Sequence, residues 1–191
     1  MRSNFKLSKK DCALLVIDMQ HFFFDKKSDA QVPRSEELVN KIKKLVDVFA
    51  ENGRPVIYTR HIDSNKKDNL MLRWWQDQLY EDDPMSEIVR DLDTSRGEVV
   101  IKHQYDAFLN TDLETILRKK GVKQVVICGV MTNICCETTA RSAFMRGFEV
   151  YFVSDGTSTH RKEMHEATLL NLSYAFAVLV KADDVLKAFT R

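Results

Sequence analysis

Val125-Val126-Ile127-Cys128-Gly129-Val130-Met131-Thr132-Asn133-Ile134-Cys135-Cys136-Glu137-Thr138-Thr139 is the stretch that decides the fold. Its apolar start predicts a buried strand, the residues after Gly129 a tight turn, and those from Glu137 a helix. Cys135 and Cys136 stand where that helix begins. A helix N-terminus carries about half a positive charge and several unpaired N–H groups. Such a place suits a thiolate and can catch an oxyanion. Either cysteine is therefore a candidate nucleophile. Cysteine is also among the most buried residue types, so one of the two is expected only to pack. Glu137 suits the first turn of a helix, yet it would oppose a thiolate if it faced the sulfur.

The same strand–helix grammar extends in both directions. Ala13 to Ile17 is continuously apolar and ends at Asp18, which predicts a strand buried on both faces. An aromatic loop follows at His21-Phe22-Phe23-Phe24. Ser35 to Asn52 keeps helical spacing through Leu38, Val39, Ile42, Leu45, Val46 and Phe49, with Gly53 just beyond. Pro55 to Thr59 predicts the second strand, leading into Arg60-His61-Ile62-Asp63. Ser64 to Arg96 is the least regular segment, with a helix expected over Asn69–Tyr80 and a short helical turn over Glu87–Leu92. Gly97 to Ile101 predicts the third strand, ending at Lys102. A helix from Leu113 closes at Gly121, and Val125 to Cys128 is the fourth strand. A helix from Glu137 stops at Gly147. Val150 to Val153 predicts the fifth strand, ended by Ser154-Asp155-Gly156. A helix at Lys162–Leu172, a sixth strand at Phe176–Val180 and a helix at Ala182–Phe189 complete the pattern.

Regular alternation of this kind predicts one α/β domain over residues 1–191, a three-layer sandwich with a six-stranded, mostly parallel sheet. In such folds sites lie beyond the carboxyl ends of the strands. Asp18, Lys102 and the Met131–Cys136 turn follow the first, third and fourth strands, so an acid, a base and a thiol reach one edge. Each has a plainer reading. Asp18 could simply cap a turn, and Lys102 could be a solvated strand end. The functional reading makes Asp18 a general acid or base and Lys102 an ammonium that favours the thiolate.

Composition narrows the chemistry. The 191 residues are 44% hydrophobic and 30% charged, as in an ordinary globular protein. With 29 basic and 28 acidic residues the net charge is +1, so neither nucleic acid nor an anionic membrane is an expected partner. No apolar run is long enough to span a bilayer, and the segment from Met1 to Lys6 has no signal-peptide core. The four cysteines are then expected as free thiols in a reducing cytoplasm. His61 and Asp63 could give two metal ligands, but no HExxH or zinc-spaced cysteine pair appears, and His160 and His165, five apart, do not share a helical face. No metal and no other cofactor is expected. No glycine loop has the form that cradles phosphate.

Three separated segments resemble the isochorismatase-like cysteine hydrolases: Leu15-Val16-Ile17-Asp18-Met19-Gln20, then Val100-Ile101-Lys102 with Tyr105-Asp106-Ala107-Phe108, then Gly129-Val130-Met131-Thr132-Asn133-Ile134-Cys135. The resemblance runs from about Cys12 to Val180 and includes Val153-Ser154-Asp155-Gly156. It implies a Rossmann-like αβα fold and a triad of Asp18, Lys102 and Cys135, with Cys136 left as packing. It also implies a cis peptide at Val130–Met131 that aims the N–H groups of Met131 and Cys135 at a substrate oxygen. The implied activity is amidohydrolase chemistry on a small amide, ureide or N-carbamoyl compound, through a thioester. Family members assemble as homo-oligomers. Nicotinamidases of the family carry Asp-x-His for a metal where this chain has Arg60-His61-Ile62, which sets nicotinamidase aside. The alternatives are vinyl ether hydrolysis of the isochorismatase type, which Cys135 disfavours, and a non-enzymatic assembly or regulatory module, which the intact triad disfavours. Phe23, Arg60, Trp74, Trp75, His103 and Tyr105 are the expected substrate-pocket residues.

Overall fold

The computed structural model describes residues 5–33, 35–64 and 69–190. Residues 1–4, part of the segment in which no signal-peptide core is expected, and residues 65–68 of the irregular segment lie outside them. Six strands form one sheet: β1 (Cys12–Ile17), β2 (Val56–His61), β3 (Glu98–Lys102), β4 (Gln124–Val130), β5 (Glu149–Ser158) and β6 (Val178–Val180). Their order is β3-β2-β1-β4-β5-β6, and every neighbouring pair is parallel. The helices are α1 (Ser35–Glu51), α2 (Leu70–Trp75), α3 (Leu113–Lys119), α4 (Glu137–Met145), α5 (Lys162–Ala175) and α6 (Ala182–Thr190).

The continuous apolarity of β1 has a direct cause. Cys12, Leu14 and Val16 point into one core with the buried faces of α1 and α6, while Ala13, Leu15 and Ile17 point into the other with α3, α4 and α5. A strand covered on both faces has no polar position to offer. Chain order reverses between β1 and β4, which opens a crevice at their carboxyl ends. At that point Gly129 takes φ +119°, and a Cβ there would sit 2.1 Å from the Ile17 carbonyl oxygen. Only glycine lets β4 run this close to β1. The sheet register slips between Ile127 and Gly129 on the β5 side.

Several boundaries differ from expectation. β5 runs through Ser154-Asp155-Gly156 to Ser158, because Thr157 and Ser158 pair with Gly129 and Val130 beyond the register slip. The helix expected over Asn69–Tyr80 is only α2, capped by the Asn69 side chain and ended by Gln76 in the left-handed region at φ 55°. Over Glu87–Leu92 a single turn forms in place of a helix, closed by the Leu92 N–H on the Val89 carbonyl at 3.0 Å. Short 3₁₀ turns stand at Pro84–Ser86 and Thr94–Arg96, and Ile88 makes an isolated antiparallel bridge to Gln20. β2 extends to His61, which puts Arg60 and His61 in the sheet rather than past it.

Candidate active site

Asp18, the residue after β1, is fully buried and takes φ 47°, a conformation that aspartate tolerates better than most residues. A neighbour on β2 holds it there. The Asp18 N–H donates to Thr59 Oγ1 at 3.0 Å, and the Thr59 hydroxyl donates to Asp18 Oδ1 at 2.6 Å. Thr59 is itself fully buried.

Lys102 ends β3, two strands and so about 10 Å of sheet away, and its stem reaches back over β2 toward the Asp18 side chain. It does so without exposure to solvent. Its ammonium lies 2.8 Å from Asp18 Oδ2, donates to the Gln104 carbonyl at 2.8 Å and reaches Cys135 Sγ at 3.6 Å. An ammonium has three protons and no acceptor; here it donates to Gln104 and Cys135 and stands in ion-pair contact with Asp18. Burial alone would pull this lysine down. Asp18 first, and Cys135 after it, reverse that and hold it above its ordinary value of 10.5.

The turn after β4 is a π-helical turn, Thr132–Cys136, leading into α4. The Val130–Met131 peptide is cis. The Met131 carbonyl is directed into the turn, where it accepts the N–H groups of Ile134 and Cys136. Cys135 faces the cavity and Cys136 is sealed in the α3–α4–α5 core. Burial pushes the Cys135 thiol up to about 12, against the lowering effect of Lys102, and Asp18 adds to the rise. That direction favours a thiol that gives up its proton to a base during the reaction, as desolvation outweighs the pull of the ammonium. Glu137 points away from the sulfur. Its Oε1 accepts from Arg141 Nη2 at 2.6 Å and its Oε2 from the Thr168 hydroxyl at 2.6 Å, tying α4 to α5.

Cys135 opens on a cavity of about 460 Å³ whose apolar walls are Phe22, Phe23, Met71, Trp75, Leu79 and Tyr105. Trp75 Nε1 donates to the Tyr105 hydroxyl at 2.7 Å, which braces one wall. Thr139 of α4 fixes the Tyr105 loop by accepting the Ala107 N–H at 3.1 Å. Three of the expected pocket residues stand elsewhere. Trp74 is 73% exposed on the outer side of α2. The Arg60 guanidinium is occupied by Ser86, the Glu81 carbonyl and the Glu87 carboxylate, where it straps the 81–88 segment to β2. His103 Nδ1 pairs with the Ile62 carbonyl at 2.7 Å and faces a separate shallow cavity with Tyr80 and Asp82.

His61 and Asp63 do line the Cys135 cavity. Gln20 clamps the His61 backbone through both its N–H and its carbonyl, at 2.8 Å each. His61 Nε2 lies 3.5 Å from Asp63 Oδ1, and the Leu79 N–H donates to Asp63 Oδ2 at 2.8 Å. Burial would raise Asp63, but hydrogen bonds from His61 and Leu79 hold it below the usual carboxylate value. The pair is thus directed at itself, and among the described residues no third His, Cys, Asp or Glu joins it. That donor set falls short of the three protein ligands of a catalytic zinc.

Thr59, Gln20, Met71 and Leu79 were not reached from sequence as site residues. For Thr59 the available signal was a polar side chain at the carboxyl end of an apolar strand, next to the strand that carries Asp18.

A buried acid, an ammonium and a thiol thus meet at the switch point of a parallel sheet. Residues 12–184 match the family model described as Isochorismatase domain, and the chain belongs to the isochorismatase family. It is 40% identical over 183 residues to Nicotinamidase 3 of Arabidopsis thaliana, covering 93% of this chain and 88% of that one. Its structure is similar to a cysteine hydrolase from Pseudomonas syringae pv. phaseolicola, with TM-score 0.92, 26% identity and coverage of 100% and 99%. It is also similar to the pyrazinamidase of Pyrococcus horikoshii in complex with zinc, with TM-score 0.79, 29% identity and coverage of 90% and 99%. The chain is a hydrolase of this family.

Proposed function

We propose that the protein is a cysteine-dependent amidase that cleaves a small carboxamide through a thioester on Cys135. The observation that carries this reading is the single ammonium of Lys102 in contact with both Asp18 and Cys135 beside the cavity. Asp18 takes the proton from the neutral thiol as the sulfur attacks the carbonyl carbon. The C=O electron pair moves to oxygen, which the N–H groups of Met131 and Cys135 stabilise. The pair then returns, the C–N bond breaks, and Asp18 passes its proton to the leaving nitrogen. A water molecule, its proton taken by Asp18, cleaves the thioester and restores the thiol. Lys102 balances the charge of the acid and the sulfur throughout.

The aromatic and aliphatic walls favour an amide whose acyl part is flat and apolar, and the names of the nicotinamidase and pyrazinamidase relatives agree with that. Aromatic carboxamides therefore lead the substrate class, ahead of ureides and N-carbamoyl acids. A panel of nicotinamide, pyrazinamide, benzamide, ureidoglycolate and N-carbamoylglycine, assayed for ammonia release, tests this. The expected result is turnover of the aromatic carboxamides and its loss in Cys135→Ala. Turnover confined to the ureido compounds would overturn the substrate class, and full activity in Cys135→Ala would overturn the chemistry.

A further inference from the structure

Two acidic oxygens of Asp18 have different surroundings, and the difference originates on β2. Oδ2 accepts no hydrogen bond and stands 2.8 Å from the Lys102 ammonium, which itself reaches Cys135 Sγ at 3.6 Å. Oδ1 takes the proton of the Thr59 hydroxyl at 2.6 Å. That same hydroxyl accepts the Asp18 N–H, so one oxygen atom grips both the backbone and the side chain of the acid. Asp18, Thr59 and Lys102 are fully buried, so water cannot replace a lost partner among them. A carboxylate tied at one oxygen and at its own N–H cannot turn about its side-chain bonds.

Building on the amidase reading above, we infer that Thr59 is a positioning residue that fixes the plane of the Asp18 carboxylate and so commits Oδ2 to the proton traffic with Cys135 and the leaving group. In the first transfer the S–H bond breaks, its electron pair stays on sulfur for the attack, and the proton forms an O–H bond at Oδ2. In the second, the C–N bond breaks, its electron pair goes to nitrogen, and the Oδ2–H proton follows. Asp18 ends as the carboxylate it began as, and no other reactant is required. Thr59 touches neither substrate nor sulfur and acts through Asp18 alone.

Amides need both transfers during acylation, because the amine leaves only when protonated. An ester with a nitrophenoxide leaving group needs the first only. Misplacing Oδ2 therefore penalises an amide twice and such an ester once. The experiment compares the parent with Thr59→Val, which keeps the shape and removes the hydroxyl, and Thr59→Ser, which keeps the hydroxyl. The probes are nicotinamide, or the panel amide turned over fastest, and p-nitrophenyl acetate. For Thr59→Val the expected loss in kcat is about 100-fold on the amide and about tenfold on the ester, with KM within twofold for each. Thr59→Ser is expected to restore most of the amide rate. Equal losses on both probes, a loss carried by KM, or no loss would each overturn the role. Thermal melting of the variants accompanies the kinetics, and equal loss with lowered melting identifies a packing effect. Cys135→Ala runs beside them: activity in that variant sinks the amidase reading itself, whereas an inactive Cys135→Ala with an unimpaired Thr59→Val sinks only this inference.

Discussion

Replacing Lys102 by Met keeps the length and volume of the buried stem and removes its charge. The ammonium and the Asp18 carboxylate are both fully buried and 2.8 Å apart. Removing one partner of such a pair leaves the other charge uncompensated, which costs about 3–5 kcal/mol. Each kcal/mol lowers melting by about 2–4 °C for a protein of this size, so the expected drop is about 6–20 °C. The Thr59 hydrogen bond to Oδ1 survives the change and argues for the lower half of that range. Urea denaturation of the parent, Lys102→Met, Asp18→Asn and the double variant measures the effect at pH 7. Neutralising Asp18 in the Lys102→Met background should recover at least about half of the loss, since the penalty is an unpaired charge and not a missing contact. The pH dependence has a definite sign. Lys102 lies above its ordinary 10.5 in the folded protein, so its contribution is whole below that pH and disappears only as pH rises through the folded value. The deficit of Lys102→Met should therefore be constant between pH 6 and 9 as far as this lysine is concerned. A deficit under about 1 kcal/mol, or strict additivity of the two single changes, would refute the buried-pair account.

Three further outcomes follow from particular contacts. Gly129→Ala should destabilise by about 2 kcal/mol or more in urea denaturation, because φ +119° and a Cβ 2.1 Å from the Ile17 oxygen leave no room for adjustment. Trp75→Ala should raise KM about tenfold by removing a cavity wall and the brace on Tyr105, while Trp74→Ala, on the exposed side of α2, should leave KM within about twofold. Iodoacetamide should alkylate Cys135 slowly at pH 7, because burial pushes the thiol up, and the rate should rise steeply as the pH is raised to 9. Fast alkylation at pH 7 with no such slope would show a standing thiolate.

What the sequence disclosed and what it hid have physical causes. β1 and β4 were legible because strands buried on both faces permit no polar interruption, and both end in an abrupt change to Asp18 and to the Met131 turn. That change also exposed the acid and the thiol. Ser154-Asp155-Gly156 has turn composition, so the sequence pattern predicts a β5 that stops at Val153. In the fold the strand resumes pairing at Thr157, where the narrow Gly129 backbone lies alongside. The pocket was harder. Trp74 and Trp75 are neighbours in sequence but lie on different sides of a six-residue helix, so adjacency misassigned one of them. Arg60 was drawn off by a carbonyl, a hydroxyl and a carboxylate from the 81–88 segment, contacts far apart in the chain that no local pattern announces. Thr59 was missed for the opposite reason: a threonine suits a strand so well that its composition draws no notice.

The central claim is that Cys135 carries the acyl group, and mass measurement on the intact protein tests it directly. Acid quenching during turnover of nicotinamide, or of the best amide in the panel, should show a fraction of the protein heavier by the acyl group, mapped to Cys135 and absent in Cys135→Ala, which should release no ammonia above background. Ammonia release by Cys135→Ala at the parent's rate would contradict the account.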